Sequence, residues 1–94
     1  MDINLEHYKI FYYVAKEGSF TKAGDDLCIS QPAVSQSVKL LEESLGTRLF
    51  MRVPKGVRLT PEGEALYSYV KRGFEYIKLG EEQFQKMLDL EHGE

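Results

Sequence analysis

The segment from Ser30 to Gly46 constrains the fold of this chain more than any other, because helix start and stop signals bracket a regular apolar stripe. Ser30 is a favourable N-cap residue, and Pro32 falls in the first turn, where its missing N–H costs nothing. Gly46 is placed to end the helix. The apolar residues recur at i, i+4, i+7 and i+11, as Val34, Val38, Leu41 and Leu45. This spacing predicts an amphipathic helix over residues 30–45.

The opposite face of this helix is polar and short-chained. At about 100° per residue, the side chains of Pro32, Ser35, Gln36 and Lys39 point away from the apolar stripe. Gln can bond adenine through two hydrogen bonds and Ser can bond either base, so this face suits contact with base edges in a DNA major groove. Taken alone, the segment is more typical of an ordinary amphipathic surface helix. The neighbouring segments favour the DNA-reading interpretation.

A shorter helix is predicted immediately upstream, which makes the pair a helix-turn-helix. Thr21 is expected to cap it, and Cys28–Ile29 to form the turn before Ser30. Its inward face is expected to carry Ala23, Gly24 and Leu27. Gly24 is a weak helix former, so we expect it where two helices approach closely. Cys28 is interpreted as a small buried apolar residue.

Downstream of Gly46 the pattern changes from helix to strand. Residues 49–52 and 57–59 are β-prone runs, and the stretch between them carries Pro54 and Gly56 as turn residues. Four basic residues lie on or just before this hairpin: Arg48, Arg52, Lys55 and Arg58. A basic hairpin after a recognition helix predicts a wing that contacts DNA phosphates. The alternative is a solvated charged turn.

The formal net charge of −3 is unusual for a chain that binds DNA, but it is unevenly distributed. Residues 27–60 carry five basic and two acidic side chains, whereas residues 1–26 carry three and five, and residues 61–94 four and eight. The middle segment is therefore positive where DNA is expected to lie. Because salt screens exposed charges over about 8–10 Å, the acidic ends weaken this local charge little.

The final third is predicted to be one long helix. Thr60 can cap it, Pro61 suits the first position, and Glu62 and Glu64 complement the helix dipole. A seam repeats at alternating spacings of four and three residues: Leu66, Val70, Gly73, Ile77, Gly80, Phe84 and Met87. Because a small domain has little left to cover such a heptad seam, we expect a second copy as its partner. The alternative is that the helix covers only its own domain.

The first helix is expected to supply the rest of the core. One stripe comprises Leu5, Tyr8, Phe11, Tyr12 and Ala15, and Ile10, Tyr13 and Val14 extend the apolar surface around it. A helix that is apolar on most sides is buried on more than one of them. We therefore interpret its tyrosines as core residues and not as a cofactor site.

Together these segments resemble the LysR-type transcriptional regulators. The matching stretches are residues 11–14, 18–23, 30–35, 48–50 and 59–63, with Leu27, Leu41-Glu42, Leu45-Gly46 and Arg52 between them. The resemblance implies a mainly α fold, in which a winged helix-turn-helix of three helices and a two-stranded wing precedes a long dimerisation helix. It also implies sequence-specific binding of double-stranded DNA by a bacterial transcription factor, with the long helix packed antiparallel against its twin in a homodimer.

Carried over position by position, the resemblance assigns contacts with DNA. Base edges are expected to be read by Gln31, Pro32, Ser35 and Gln36. The sugar-phosphate backbone is expected to be held by Thr21, Ser30, Lys39, Arg48, Arg52, Lys55 and Arg58. A dimer would then read two half-sites related by approximate two-fold symmetry.

The resemblance also implies an organisation in three parts. Residues 1–60 form the DNA-binding domain, residues 61–90 the linker and dimerisation helix, and residues 91–94 the start of a hinge. In the family an effector-binding domain follows this hinge, binds the coinducer and helps to form a tetramer. None of that effector domain is expected within these residues.

Catalysis, cofactors and metal ions are not expected. His7 and His92 lie near opposite ends of the sequence, Cys28 has no base beside it, and Glu42 and Glu43 point in different directions.

The expected location is the cytoplasm, on the nucleoid. No apolar run reaches the 18 residues typical of a membrane span, and a single cysteine fits a reducing compartment. The alternative function is a protein-interaction module with a winged-helix fold, which the acidic ends favour and the basic wing does not.

Overall fold

The computed structural model describes residues 4–92, and its elements follow the predicted order. They are α1 (Leu5–Glu17), α2 (Phe20–Leu27), α3 (Gln31–Leu45), β1 (Phe50–Val53), β2 (Gly56–Leu59) and α4 (Pro61–His92). The first three helices pack on one another, and β1 and β2 form an antiparallel hairpin beside them. The mainly α winged helix-turn-helix fold with a long final helix is therefore confirmed.

Side-chain caps set where the helices begin. The Ser30 hydroxyl accepts a hydrogen bond from the Ala33 N–H at 3.2 Å, as expected for the N-cap of α3. The prediction that Thr21 caps α2 is wrong. The cap is Ser19, whose extended backbone lets its hydroxyl accept from the Lys22 N–H at 3.1 Å. The helix therefore begins at Phe20, and Thr21 lies exposed in its first turn.

The core joins α1, α2, α3 and the hairpin. Its buried members are Ile10, Phe11, Val14, Ala23, Val34, Val38, Leu41, Leu49, Phe50 and Val57. The tyrosines of α1 that are predicted to be core residues are partly buried around it, and the Tyr12 ring stacks on Tyr67 of α4 with centroids 5.7 Å apart. Two predicted core positions are wrong: Leu5 is 65% exposed and Leu45 is 37% exposed. Both are terminal residues of their helices and lie beyond the packed elements.

The turn between α2 and α3 confirms the interpretation of Gly24. A Cβ at this position would lie 2.8 Å from the Ile29 carbonyl oxygen, so no larger residue fits without a shift of the backbone. The interpretation of Cys28 as buried is wrong. Cys28 ends α2 in a left-handed conformation with φ 59°, and its side chain is exposed. Its backbone N–H caps the helix by donating to the Asp25 and Gly24 carbonyls, and this geometry turns the side chain outward.

The hairpin is fixed between α1 and the start of α4. The Val57 N–H donates to the Gly18 carbonyl oxygen at 3.1 Å, which ties β2 to the end of α1. The Thr60 hydroxyl accepts from the Gly63 N–H at 3.0 Å, confirming its predicted role as cap of α4, and donates to the Arg48 carbonyl at 2.8 Å. The wing and α4 therefore meet at one rigid junction.

After its first turns, which pack against the core, α4 extends away from the domain. Its 32 residues give the molecule a longest dimension of 55 Å, against 28 and 21 Å in the other directions. Among the helices described here, none combines the length and apolar character that a membrane span requires.

Candidate nucleic-acid interface

The polar face of α3 is directed to solvent, as its sequence predicts. Gln31, Pro32, Gln36 and Lys39 are exposed, while Ser35 is half-buried. The Gln31 amide donates to the Ser35 hydroxyl at 2.8 Å, so the first two turns present a linked pair of polar groups. Because the opposite side of α3 is buried in the core, this face projects outward from a rigid support.

The hairpin carries its basic residues on more than one surface. Arg52 pairs with Val57 and Arg58 pairs with Met51 across the two strands. Since successive residues of a strand point to opposite faces, Arg52 and Arg58 lie on opposite faces of the hairpin, and the exposed Lys55 lies at its tip. The predicted basic cluster is therefore a set of charges around the wing, not a single patch.

Arg52 is the wing cation directed toward the helix-turn-helix. Its guanidinium carbon lies 5.9 Å from the centroid of the Phe20 ring on α2. A planar guanidinium held over an aromatic ring keeps its charge exposed while its orientation is restricted. The position is suited to a phosphate that passes between α2 and the wing.

A groove of about 600 Å³ separates α3 from β1. Ser35 and Lys39 line it from the helix, and Arg48 and Arg52 line it from the wing. The groove therefore brings together one residue predicted to read bases and three predicted to hold the backbone.

Glu42 lies beside the candidate interface and holds the wing in place, a role that was not predicted from the sequence. Its carboxylate accepts hydrogen bonds from the backbone N–H groups of Leu49 at 2.7 Å and Phe50 at 3.3 Å, and it lies 3.7 Å from the Arg48 guanidinium. The Glu42 side chain is 14% exposed, whereas that of Arg48 is 77% exposed. Glu42 thus fixes the start of the wing to the last turn of α3. The sequence contained one sign of this role, because an acidic side chain near the C-terminus of a helix is disfavoured by the helix dipole unless it has a partner.

Replacing Glu42 with alanine is expected to destabilise the domain by about 1–3 kcal/mol, because two backbone N–H groups at the start of β1 lose their acceptor. Urea unfolding measures this change. The matched control is Glu43→Ala, which removes an exposed acid one residue later and is expected to change stability by less than about 0.5 kcal/mol. Equal effects of the two substitutions would show that Glu42 does not fix the wing.

The remaining predicted backbone contacts lie at the start of α2 and α3. Thr21 is exposed, and the Ser30 hydroxyl is already engaged as the N-cap of α3 while the residue stays exposed.

A pair of acidic side chains, Glu17 of α1 and Asp26 of α2, lies farther away. The hydrogen bond and the negative charge of Asp26 raise the pKa of Glu17. This pair contributes negative charge on α1 and α2, outside the face that α3 presents.

The predicted seam of α4 divides into two parts. Leu66 and Val70 are partly buried against the core of their own domain, together with Tyr67. These two residues therefore cover the core of their own domain, because α4 begins directly on the wing; their contact with a second copy stays a prediction. Farther along, Ile77, Phe84 and Met87 are exposed.

Three helices with a solvent-facing recognition helix and a cationic hairpin define a winged helix-turn-helix DNA-binding domain. The family model described as bacterial regulatory helix-turn-helix protein, lysR family, matches residues 5–64. The chain belongs to the LysR family of transcriptional regulators and comprises the DNA-binding domain of that family.

Similar proteins agree in sequence and in structure. The HTH-type transcriptional activator AmpR of Providencia stuartii is 46% identical over 81 residues, which is 86% of this chain and 28% of AmpR. The regulator BenM of Acinetobacter baylyi is 46% identical over 67 residues, which is 71% of this chain and 22% of BenM. The chain thus spans about a quarter of the length of these two relatives.

The similar solved structures include complexes with DNA. The BenM DNA-binding domain bound to catB site 1 DNA has a TM-score of 0.83 at 36% identity, covering 92% of this chain and 97% of that one. The complex of the CbnR DNA-binding domain with DNA has a TM-score of 0.77 at 27% identity, covering 92% of this chain and 99% of that one.

Proposed function

We propose that this domain reads a specific double-stranded DNA sequence by inserting the first half of α3 into a major groove. The observation that carries the proposal is the exposed polar face of α3, held by its buried face beside the wing. Base edges are read by Gln31, Pro32, Ser35 and Gln36, with Pro32 offering an apolar contact. Phosphates are held by Thr21, Ser30, Lys39, Arg48, Arg52, Lys55 and Arg58. The solved complexes of similar domains with DNA support this arrangement.

The functional unit in this proposal is a homodimer joined through α4. The exposed apolar residues on the second half of α4 support a partner helix there. Residues 1–60 then act as the DNA-binding domain and residues 61–90 as the linker. As the family resemblance implies, the proposal includes a tetramer of the whole regulator, with the effector bound by a domain outside these residues. We assign the domain no catalytic role and place its action on the nucleoid, in the cytoplasm.

Replacing Gln36 with alanine is expected to relax the preference at one base position. Loss of a bidentate contact lowers affinity for the preferred site by roughly tenfold to a hundredfold, while binding to unrelated duplexes changes little. Selection from a random duplex library, followed by sequencing of the bound fraction, measures the change. Gln83→Ala on α4 is the control, since it removes the same exposed side chain far from α3. An equal loss on every duplex would contradict a reading role.

Replacing Arg52 with glutamine is expected to weaken binding to every duplex alike. Glutamine keeps part of the side chain over Phe20 but removes the charge, so the slope of log affinity against log salt falls by about 1 per subunit, or about 2 for the dimer. Salt titrations of binding by fluorescence anisotropy measure the slope. Lys71→Ala is the control, because it removes one exposed positive charge from α4. An unchanged slope in the Arg52 variant would show that this residue holds no phosphate.

The same library also tests whether the domain reads a specific sequence or binds duplexes without preference. An enriched site with approximate two-fold symmetry and a steep salt slope supports the proposal. A bound fraction without enrichment, or no binding at low salt, overturns it.

A further inference from the structure

Two arginines at the wing are held in different ways. Arg48 lies 3.7 Å from the Glu42 carboxylate, which offsets part of its positive charge. Among the side chains that the structure describes, Arg52 has no carboxylate within salt-bridge distance, and its guanidinium lies over the Phe20 ring instead. Arg52 is therefore oriented by a group that carries no charge.

An aromatic ring orients a guanidinium without occupying its hydrogen-bond donors. The face of the ring attracts the cation, whereas a carboxylate would accept from its N–H groups and neutralise its charge. Because the attraction to Phe20 is to the ring face, the N–H donors of Arg52 stay available for an anion. The fork geometry of these donors matches the oxygens of a phosphate.

The Phe20 ring is itself held by the core. Its centroid lies 5.9 Å from that of Phe50, at an interplanar angle of 65°. Phe50 is 4% exposed and packs on the fully buried Phe11, with centroids 5.5 Å apart. Because close-packed rings move little independently, the ring beneath Arg52 has a set position relative to the core.

The backbone independently brings α2 and the wing together. Arg52 pairs with Val57 in strand register, and the Val57 N–H donates to the Gly18 carbonyl oxygen at 3.1 Å. Gly18 lies just before the cap of α2, and Phe20 is the first residue of that helix. The main chain therefore joins the two elements, and the pair of side chains is not needed to hold them. This leaves the orientation of the guanidinium as the contribution of the ring.

We propose that Phe20 is a positioning residue for DNA binding, which holds the Arg52 guanidinium ready for a phosphate at the groove between α3 and β1. Phe20 and Arg52 line this groove together with Ser35 and Lys39 of α3. A phosphate fixed there sets how α3 lies in the major groove, because backbone contacts position the side chains that read bases. This inference rests on the DNA binding proposed above and adds a residue that acts through Arg52.

A double-mutant cycle with Arg52→Gln tests the role of the ring. Phe20→Leu removes the ring but keeps an apolar side chain, and it is expected to weaken DNA binding by the dimer roughly fivefold to thirtyfold. The slope of log affinity against log salt is expected to stay unchanged, because Arg52 keeps its charge. In the Arg52→Gln background, Phe20→Leu is expected to change affinity by less than about twofold. Phe20→Tyr, which keeps a ring, is expected to retain most of the affinity that Phe20→Leu loses.

The matched control is Tyr13→Leu on α1. The Lys16 ammonium lies 5.5 Å from the centroid of the Tyr13 ring, so this change removes a contact of the same kind outside the groove. It is expected to change affinity by less than about twofold. Fluorescence anisotropy gives the affinities, and urea unfolding verifies that each variant is folded under the assay conditions. Phe20→Met, which is closer to phenylalanine in volume, replaces Phe20→Leu in the cycle if the leucine variant does not fold.

Equal losses from Phe20→Leu in the two backgrounds would overturn the inference, since the ring would then act through the fold and not through Arg52. Unchanged affinity and salt slope in Arg52→Gln would overturn it as well, because no phosphate contact would exist for the ring to prepare. Library selection measures sequence reading separately, so failure of this inference is distinguishable from failure of the DNA-binding proposal.

Discussion

Replacing Phe11 with alanine is expected to destabilise the domain by about 3–5 kcal/mol, a large share of the roughly 5–15 kcal/mol typical of a whole domain. Phe11 is fully buried, and its ring contacts two other elements. Its centroid lies 5.5 Å from that of Phe50 on β1 and 6.4 Å from that of Tyr67 on α4. One side chain therefore joins α1, the wing and the long helix, and its removal leaves a cavity between all three.

Thermal unfolding measures this loss, since each kcal/mol lowers the midpoint by roughly 4–8 °C in a domain of this size. Leu5→Ala is the matched control on the same helix. Because Leu5 is 65% exposed, this change is expected to alter stability by less than about 0.5 kcal/mol. A loss for Leu5→Ala as large as that for Phe11→Ala would contradict the observed core, in which Phe11 is buried and Leu5 is exposed.

Replacing Gly63 with alanine is expected to destabilise the domain by about 1–3 kcal/mol, although alanine is the better helix former. A Cβ at this position would collide with the Leu49 carbonyl oxygen and lie 3.0 Å from a methyl carbon of Leu59. The obstacle is backbone and cannot rotate away. The helix would have to move off the wing and strain the hydrogen bond that Thr60 accepts from the Gly63 N–H.

The control for this prediction reverses the exchange two residues later. Ala65 is exposed in α4, so Ala65→Gly is expected to cost about 1 kcal/mol through helix propensity alone. Gly63→Ala and Ala65→Gly would then both lower the stability of the domain. Helix propensity predicts opposite effects for the two substitutions, so a steric contact at residue 63 is needed to explain the loss. Stabilisation by Gly63→Ala in urea unfolding would show that α4 does not approach the wing closely.

The sequence predicted the recognition helix closely because its determinants are local. Ser30, Pro32 and Gly46 mark the ends of α3, and the apolar period fixes which face is buried. The exposed positions of Gln36 and Lys39 follow from the same period. Their contacts with DNA remain predictions, because side-chain exposure alone does not identify the group that is bound.

Other features of the candidate interface depended on segments that meet only in the folded chain. Glu42 is seven residues from the N–H of Leu49 that it binds, and no periodicity links them. The faces on which the wing charges lie depended on strand register. A shift of the register by one residue would place Arg52 and Arg58 on the same face of the hairpin. The choice of Ser19 over Thr21 as the cap of α2 depended on which of two hydroxyl residues, two positions apart, had the extended backbone.

By itself, then, the sequence determined the order of the elements, the recognition helix and its polar face, because caps, turns and hydrophobic period act over a few residues. The tertiary structure alone decided that α4 first serves its own core, through Leu66 and Val70, and only later offers a free apolar face. It also decided the need for glycine at residue 63, since the Leu49 carbonyl that excludes a side chain comes from the other end of the wing. Such contacts arise from packing between elements, and no local pattern encodes them.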